Sequence, residues 1–389
     1  MQEEHQPPAT ADGTGNGPDP ERNSRVGRRR TGRRRRRRRI LIGIAAGLAV
    51  LLLAAGGLAW WAYERLNGNI KTEDFAAKLG DDKNRPVATN ALNILLVGTD
   101  TRAGENAQYG SDPGDTQRSD TTVLLHVPEG RKSALGVSFP RDLMVAVPSC
   151  QKGDGTMSRA YFGMFNSAME VGGTACTIKT VEQLTGVRVD HQITVDFTGF
   201  KKLVDAMGGV PIHLDQPIDD KAAKLQLPAG DVTLNGEQAL GFVRARKSIG
   251  DGSDLQRIER QQLFMTAMVA KVKNESLLTS PTRLYGILDA ATKAITTDPA
   301  LGTLRDLYDL LNSLKNIPQN AVKFETVPIT TYAPDPNRLA LVRPEADVQF
   351  ARLRDESAAV VPDDAGPNAG STGTSGAATS PGTLTTTDP

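Results

Sequence analysis

The sequence of 389 residues predicts an α/β protein, a three-layer α/β/α sandwich with a mixed central sheet, preceded by one transmembrane helix. Three observations support this prediction. A long uncharged apolar run lies near the N-terminus, short continuous apolar runs recur after it, and amphipathic stretches that begin with helix-capping residues alternate with those runs. Such alternation is typical of a sheet enclosed between layers of helices.

The uncharged run covers residues 40–62, which is long enough to cross a bilayer as one helix. An unbroken arginine block at 33–39 precedes it, and Trp60, Trp61 and Tyr63 follow in positions suited to the opposite headgroup layer. The arginine block predicts a cytoplasmic N-terminus and an extracellular remainder. A cleaved signal peptide is the alternative, but the run is too long and no clear A-x-A site ends it.

The two sides of this run differ in charge. The first 39 residues hold 12 of the 46 Lys and Arg residues and 5 of the 45 Asp and Glu residues. The remainder therefore has 34 basic and 40 acidic residues, and such an acidic portion argues against a nucleic-acid partner. The predicted organisation is a disordered cytoplasmic tail at 1–39, a transmembrane helix at 40–62, a connector at 63–90, an extracellular domain at 91–355 and a disordered tail at 356–389.

Both cysteines, Cys150 and Cys176, lie in the exported part. An even number of cysteines in an oxidising compartment predicts a disulfide, and two free buried thiols are the alternative. With only four histidines and no further cysteine, the composition argues against a zinc site.

The strands and helices of the predicted domain follow from its apolar patterns. Continuous apolar runs are typical of strands covered on both faces. The predicted strands lie at 91–97, 121–127, 133–139, 191–197 and 210–214. Helices are predicted to follow Arg159, Thr174, Asp196, Asn235 and Asp254, and a short one is predicted around 72–79.

Polar residues stand at the ends of three of these strands. The segments 98–102, 118–120 and 140–142 each place an Asp close to an Arg. Ligands of α/β folds gather where strands end, and carboxylates beside arginines suit a Mg²⁺–phosphate site because the hard cation takes oxygen ligands. One such pair alone is usually a surface ion pair, so the prediction depends on all three occurring together.

A later segment, 242–262, concentrates four arginines around a Gly/Asp turn and a helix start: Arg244, Arg246, Arg257 and Arg260. Arginine holds phosphate through paired N–H donors, so the segment predicts a site for a multiply charged anion. The alternative is an ion-pair network on a helix surface.

Helical spacing places three polar residues of the segment 242–262 on one face. A helix that starts at Ser253 or Asp254 aligns Asp254, Arg257 and Gln261, and Phe264 and Met268 continue that face. This strip fits a groove that holds a phosphate at one end and a hydrocarbon at the other. Phe200, Leu203 and Val204 are further candidates for the hydrocarbon side. A helix rim that meets its own core is the alternative.

Seven blocks between residues 91 and 270 together resemble the LytR-CpsA-Psr family of Gram-positive cell-wall proteins. They are NILLVGTDTR, RSDTT, SFPRD, FNSAMEVGG, VDFTGFKKLVDAMGGV, LNGEQALGFVRAR and GDGSDLQRIERQQ. The resemblance implies an α/β/α domain that binds a polyprenyl-pyrophosphate lipid and transfers its phospho-glycopolymer onto peptidoglycan. The expected partners are therefore this lipid-linked glycan, peptidoglycan and the membrane.

The resemblance also implies roles for single residues. Asp100 and Asp120 match the family's metal-associated aspartates, so Mg²⁺ or Mn²⁺ is the expected cofactor. The residues that match the pyrophosphate-binding group are Arg118, Arg141, Arg244, Arg246, Arg257 and Gln261. The expected catalytic residues are Asp100, Asp120, Arg244 and Arg246, with Arg102 and Asp254 in support.

Two departures from the family pattern affect the site. Many members have Lys-Ile-Asn where this chain has Met164, Phe165 and Asn166, so one cationic contact is missing or comes from Arg159. The Gly- and Asp-rich segment 103–117 is long, so the sequence does not define how the acceptor side of the site is formed.

Two other functions stay open from the sequence: a polyprenyl-pyrophosphate pyrophosphatase and a non-enzymatic regulator of the cell envelope.

Overall fold

The computed structural model describes the backbone of residues 20–100, 118–245, 254–274 and 281–355 and the side chains of 36–99, 119–245, 256–273 and 282–355. The chain divides into two compact units between Arg65 and Leu66. The first unit contains most of helix α1 (Pro20–Asn67). Within α1, the segment Arg36–Asn67 is long and apolar enough to cross a membrane, which suggests a single-pass membrane protein.

The second unit is an α/β structure. In chain order its elements are β1 (Lys71–Thr72), α2 (Ala76–Leu79), β2 (Leu92–Asp100), β3 (Arg118–Val127), β4 (Ala134–Phe139), β5 (Met144–Val147), β6 (Tyr161–Met164), α3 (Ser167–Thr185), β7 (His191–Asp196), α4 (Phe197–Ala206), β8 (Val210–Leu214), β9 (Ile218–Asp220), β10 (Leu225–Leu227), β11 (Gly230–Leu234), α5 (Gly236–Arg244), α6 (Asp254–Asn274), α7 (Pro281–Ala294), β12 (Ile295–Thr297), α8 (Leu304–Leu314), β13 (Val322–Thr326), β14 (Ile329–Thr331), β15 (Leu339–Leu341) and α9 (Arg343–Arg354).

A seven-stranded sheet lies at the centre, with the spatial order β1-β12-β7-β2-β3-β4-β13. β7 runs parallel to β2, β3 runs antiparallel to β2 and β4, and β13 runs parallel to β4. The mixed sheet predicted from the sequence is therefore confirmed. The predicted strand at 210–214 also forms, but as β8 it pairs with β11 in a separate hairpin.

Helices cover both faces of this sheet. Leu95 of β2 packs in the larger core with residues of α3 and α9, whereas Ile94 packs on the other face with Leu310 and Leu314 of α8. Leu95 and Ile94 are both almost fully buried, although neighbouring residues of a strand point to opposite faces. This double burial explains the continuous apolar runs and confirms the three-layer architecture.

A second hydrophobic core lies among α4, α5, α6 and the strands β8–β11. α4 begins where the sequence predicts, because the Asp196 carboxylate caps it by accepting from the N–H of Gly199 at 2.7 Å. It ends before Gly208 and Gly209, which have φ angles of 78° and 84°. These left-handed conformations favour glycine, so the Gly-Gly pair stops the helix.

Two local predictions differ from the structure. The helix predicted directly after Arg159 is wrong, because Tyr161–Met164 pairs with Met144–Val147 as a hairpin and the next helix starts at Ser167. Aromatic residues at 161 and 162 favour this strand. The short helix predicted at 72–79 covers only Ala76–Leu79, and Lys71–Thr72 joins the central sheet instead.

The predicted disulfide between Cys150 and Cys176 is confirmed. Cys176 lies in α3, which is interrupted at Gly172 and Gly173 by non-helical backbone. A Cβ atom at position 172 would lie 2.9 Å from the Cβ of Cys176 and 2.8 Å from the carbonyl oxygen of Gln151. The glycine at 172 therefore lets the helix pass close to the disulfide.

A buried ion pair holds the segment before β2 against α3. The Arg85 guanidinium lies 2.6 Å from Glu182 Oε1 and also donates to the carbonyl oxygen of Val189 at 2.7 Å. Glu182 is 4% exposed and accepts a further hydrogen bond from the Val189 N–H. Loss of Arg85 therefore leaves a buried carboxylate uncompensated, whereas loss of Glu182 leaves Arg85 with only the exposed Asp82 carboxylate at 3.6 Å.

Replacement of both cysteines by serine (Cys150→Ser with Cys176→Ser) is expected to lower the free energy of unfolding by roughly 3.5 kcal/mol, because the unfolded chain loses a loop closed across 26 residues. Denaturant unfolding followed by far-UV circular dichroism measures this change, since both tryptophans lie in α1. Reduction of the native chain serves as the matched control and is expected to give the same loss. A loss below about 1 kcal/mol in both samples contradicts the prediction.

Glu182→Ala is expected to lower the free energy of unfolding by about 3 kcal/mol, since it leaves the largely buried guanidinium of Arg85 with only the exposed Asp82 carboxylate as a partner. The control is Asp309→Ala, which removes a pair with Arg305 whose side chains are 63% and 81% exposed. That change is expected to cost less than about 0.5 kcal/mol. Equal losses in the two variants, measured by the same unfolding experiment, contradict the expectation.

Candidate active site

The strand ends of the central sheet bring the predicted polar motifs together. β2 and β7 both finish at one end of the sheet, where Thr99 pairs with Asp196. β4 and β13 finish at the same end and β3 begins there. We call this the charged end of the sheet and define it by Asp100, Arg118, Asp120, Arg141 and Asp142. Three motifs that are separate in the sequence therefore converge.

The start of β3 is irregular at Asp120. Gly98 pairs with Thr121 whereas Thr99 pairs with Ser119, so the strand register passes over Asp120. Such a β-bulge redirects a side chain, and bulges are frequent beside active sites. The backbone pairing of Asp100 with Arg118 follows directly after this bulge. The bulge thus places one aspartate outside the regular ladder at the point where the two strands end.

Arg141, directly after β4, lies between two carboxylates. Its Nη1 donates to Asp120 Oδ1 at 3.2 Å and its Nε donates to Asp142 Oδ2 at 3.1 Å. Arg338 donates from Nη1 to the other oxygen of Asp142 at 3.1 Å. These four side chains are 15–32% exposed, so they are held in place and still border solvent. The sequence did not indicate Arg338, which lies 196 residues from Asp142.

The start of α3 is attached to the same place. The N–H of Asn166 donates to the carbonyl oxygen of Arg141 at 3.1 Å. Asn166 is 8% exposed, and its Oδ1 has no hydrogen-bond partner within the part of the chain that the structure describes. Phe165 is fully buried and stacks on Phe139 at 5.5 Å. At the positions where many family members have Lys-Ile-Asn, Phe165 therefore packs in the core and Asn166 lies next to Arg141. Arg159, the other candidate for the missing cationic contact, is exposed.

Arg244, the last residue of α5, approaches the charged end through an aromatic contact. Its guanidinium carbon lies 4.8 Å from the centre of the Phe197 ring. Phe197 follows Asp196, whose partner in the sheet is Thr99 on β2. α5 itself is fixed at its other end by a capping box formed by Asn235 and Gln238. A cation–π contact therefore positions Arg244 beside the strand ends.

The first turns of α6 are tied to the end of α5. Gln261 donates from Nε2 to the carbonyl oxygen of Val243 at 3.2 Å, and Arg260 donates to the carbonyl oxygen of Ala245. Arg257, Arg260 and Gln261 are all less than 9% exposed. Burial lowers the pKa of the Arg260 guanidinium. Two buried polar side chains on α6 thus hold the backbone on either side of Arg244.

A further contact links α6 with the central sheet. Gln262 Nε2 donates to Thr326 Oγ1 at 3.0 Å, and Thr326 is the last residue of β13. Thr326 pairs with Ser138, two residues before the Pro140 that precedes Arg141. The first half of α6 therefore contacts a strand end that lies beside the charged end.

The helical face predicted for α6 passes from polar to apolar. α6 begins at Asp254, as the sequence predicts, and Arg257, Gln261 and Phe264 are buried along it. Phe264 lies 5.4 Å from the ring of Phe200. The candidates for the hydrocarbon side all belong to the second core or pack against it: Phe200, Leu203, Val204, Phe264 and Met268. In this structure the strip is a helix rim that meets its own core.

Several predicted site residues lie outside the described residues. Arg102 and Arg246 fall in the segments 101–117 and 246–253. The backbone of Asp100, Arg118 and Asp254 is described at strand and helix ends, whereas their side chains are not. Their roles stay predictions.

The donor chemistry of the charged end fits a hard divalent cation. Asp120 offers a half-buried carboxylate, and Asp100 is the final residue of the neighbouring strand. Magnesium in phosphate sites takes one or two carboxylates, with phosphate and water as the other ligands. Within the described side chains, no cluster of three His, Cys, Asp or Glu residues could hold a metal ion. A metal here would therefore depend on phosphate oxygens as well.

One protein family matches most of this chain. The LytR_cpsA_psr family matches residues 62–353, which is most of the chain and includes the whole charged end. This chain belongs to the LytR_cpsA_psr family. The resemblance recognised from the seven sequence blocks is therefore confirmed.

Curated relatives agree with this membership. The cell wall biosynthesis protein LcpA of Corynebacterium glutamicum is 30% identical over 320 residues, which cover 74% of this chain and 60% of that protein. The polyisoprenyl-teichoic acid–peptidoglycan teichoic acid transferase TagT of Bacillus subtilis is 29% identical over 305 residues, which cover 75% of this chain and 86% of TagT. The matched part thus spans less than two thirds of LcpA and most of TagT.

Solved structures of LytR_cpsA_psr family members share the fold. A LytR-Csp2A-Psr enzyme from Actinomyces oris is 19% identical, with a TM-score of 0.55 over 73% of this chain and 95% of the other. TagT bound to LI-WTA is 24% identical, with a TM-score of 0.54 over 73% of this chain and 98% of the other. At these identities the comparison establishes the architecture, and the α/β/α prediction agrees with it.

Asp142→Ala is expected to lower the free energy of unfolding by about 1–2 kcal/mol, because it removes the carboxylate that Arg141 and Arg338 share. The loss stays moderate because the two arginine side chains are 25% and 32% exposed and solvent screens their charges. A double-mutant cycle with Arg338→Ala isolates the pair and is expected to show a coupling of about 0.5–1.5 kcal/mol. Chemical denaturation of the four chains measures both values. Additive losses would show that Arg338 does not support the site.

Proposed function

We propose that this protein is a membrane-anchored transferase that moves a phospho-glycopolymer from a polyprenyl-pyrophosphate carrier onto peptidoglycan. The single observation that carries the proposal is the family match over residues 62–353, which contains the charged end. Arg141, held between Asp120 and Asp142, gives that end the chemistry for a phosphate group. The name of the relative TagT, a teichoic acid transferase acting on peptidoglycan, supports the same reaction class.

The proposed reaction is one phosphoryl-type transfer. A hydroxyl oxygen of the acceptor glycan forms a bond to the phosphorus that bears the donor sugar. The bond between that phosphorus and the bridging oxygen breaks, polyprenyl monophosphate leaves with the bonding electron pair, and the hydroxyl proton is released to solvent. The glycopolymer thus reaches peptidoglycan with one phosphate. Such transfers ask the protein mainly for positioning and charge stabilisation.

The residues of the charged end fit these two tasks. Arg141 is fixed by carboxylates on two sides, so its guanidinium is oriented before the substrate arrives. Arg244 is held over Phe197 and adds positive charge for the leaving phosphate. Arg118, Arg246, Arg257 and Gln261 complete the proposed pyrophosphate group, with Arg102 and Asp254 in support. Mg²⁺ or Mn²⁺, when bound by Asp100 and Asp120, supplies charge neutralisation of the phosphate oxygens.

The proposed location follows from α1. With the arginine block in the cytoplasm, the second unit lies outside the cell beside the membrane surface. A lipid-linked donor resides in that membrane and peptidoglycan lies outside it, so tethering raises the effective concentration of the donor at the site. The expected partners are the lipid-linked glycan, peptidoglycan and the membrane itself.

Arg244→Ala is expected to reduce the rate of transfer by about 10²–10³-fold, since it removes charge stabilisation of the leaving phosphate. Arg244→Lys is expected to recover only part of the rate, because lysine offers a point charge in place of paired donors. The matched control is Arg352→Ala, on an exposed position of α9, which is expected to leave the rate unchanged. The measurement uses a labelled lipid-linked donor, nascent peptidoglycan and the full chain in detergent or bilayer discs.

The same assay distinguishes the other functions. Label that becomes linked to peptidoglycan in an acceptor-dependent manner supports the transferase. Label released into water without any linkage identifies a pyrophosphatase. If Arg244→Ala retains full activity in the cell and the native chain transfers no label, the protein acts as a regulator instead.

A further inference from the structure

α8 has two apolar faces, and among the described residues only one of them packs against a hydrophobic core. Leu307, Leu310 and Leu314 are half-buried, and Leu310 and Leu314 pack against the core beneath the sheet. Leu304, Tyr308 and Leu311 recur at the i, i+4 and i+7 positions and therefore form an adjacent face. We call Leu304, Tyr308 and Leu311 the outer face of α8.

The outer face is open to solvent at two large side chains. Tyr308 is 65% exposed and Leu311 is 63% exposed, one turn apart. Arg305 and Asp309 lie on a third face, opposite the packed one. The remaining charged residue of the helix, Asp306, forms part of the capping box at the helix start. Adjacent exposed apolar side chains with a tyrosine among them are typical of helices that lie in a membrane interface, where the phenol ring contacts both phases.

The chain itself brings this helix to the membrane boundary. The N–H of Leu304 donates to Asn67 Oδ1 at 2.9 Å, and a capping box of Thr303 and Asp306 fixes the same turn. Asn67 follows Trp61, at the end of the apolar run, by six residues. Even a fully extended chain of that length spans at most about 22 Å. The first turn of α8 is therefore tied within a short reach of the headgroup layer.

We propose that the outer face of α8 docks on the lipid surface next to the membrane anchor, with Tyr308 and Leu311 inserted at the boundary between headgroups and acyl chains. This inference depends on the membrane anchoring in the proposed function. Lys315 follows the helix on the outer side and is exposed, so its ammonium group can reach anionic headgroups. Docking orients the second unit on the membrane in addition to tethering it.

Site-directed fluorescence in bilayer discs tests the docking. The full chain carries Leu311→Cys labelled with nitrobenzoxadiazole and is placed as one copy per disc; the native cysteines are joined in the disulfide and do not react. The matched control carries the same label at Val348→Cys, an apolar position of α9 that is 53% exposed. Discs with and without doxyl-labelled lipids report contact with the acyl region.

Quenching at position 311 that exceeds quenching at 348 by about threefold or more, with a blue-shifted emission, is the expected result. Tyr308→Asp in the 311-labelled chain is expected to abolish that excess, because it places a charge on the outer face. Equal quenching at 311 and 348 overturns the inference. In a separate sample of unlabelled Leu311→Cys chain in detergent, disulfide cross-linking between two copies through position 311 also overturns it, because a second chain would then be the occupant.

Failure of this inference differs from failure of the proposed function. Chains that enter discs and transfer glycopolymer while position 311 stays unquenched show that only the docking is wrong. Chains that do not enter discs at all show that the anchoring is wrong, and the docking with it.

Discussion

The site depends on a network of ion pairs at the charged end. In this network arginines and carboxylates neutralise one another and still leave room for a ligand. Arg141 contacts Asp120 on one side and Asp142 on the other, and Arg338 holds the second oxygen of Asp142. A guanidinium held at two edges cannot swing away, so its orientation is set by the protein and not by the ligand. The network remains partly exposed, which a bound anion requires.

Arg244, a further predicted site residue, is positioned by helix ends and not by a loop. Arg244 lies at the end of one helix and on the aromatic ring that begins another, while Gln261 and Arg260 bind the backbone next to it. Each of these contacts joins the end of a strand or helix to a neighbouring element. Sites supported in this way keep their geometry better than sites carried by loops alone, because packing fixes the side-chain conformations.

Sequence patterns were sufficient where the physics is local. Continuous apolar runs predict β2, β3 and β4, the Asp196 cap predicts α4, and helical spacing predicts the buried face of α6. Contacts between distant segments were beyond such patterns. Arg338 reaches Asp142 across 196 residues, and the bulge at Asp120 depends on how two strands pair. The strand β6 was missed for the same reason, since its stability comes from a partner at Met144–Val147.

The disulfide has a consequence for when the site becomes complete. Cys176 belongs to the helix whose N-cap residue, Asn166, donates to the carbonyl oxygen of Arg141, and Gly172 lets that helix lie against the disulfide. In the orientation proposed for α1, this covalent link cannot persist in the reducing cytoplasm and closes only after export. Chains still awaiting translocation would therefore hold a loosened site, and maturation of the phosphate-binding end would be timed by arrival outside the cell.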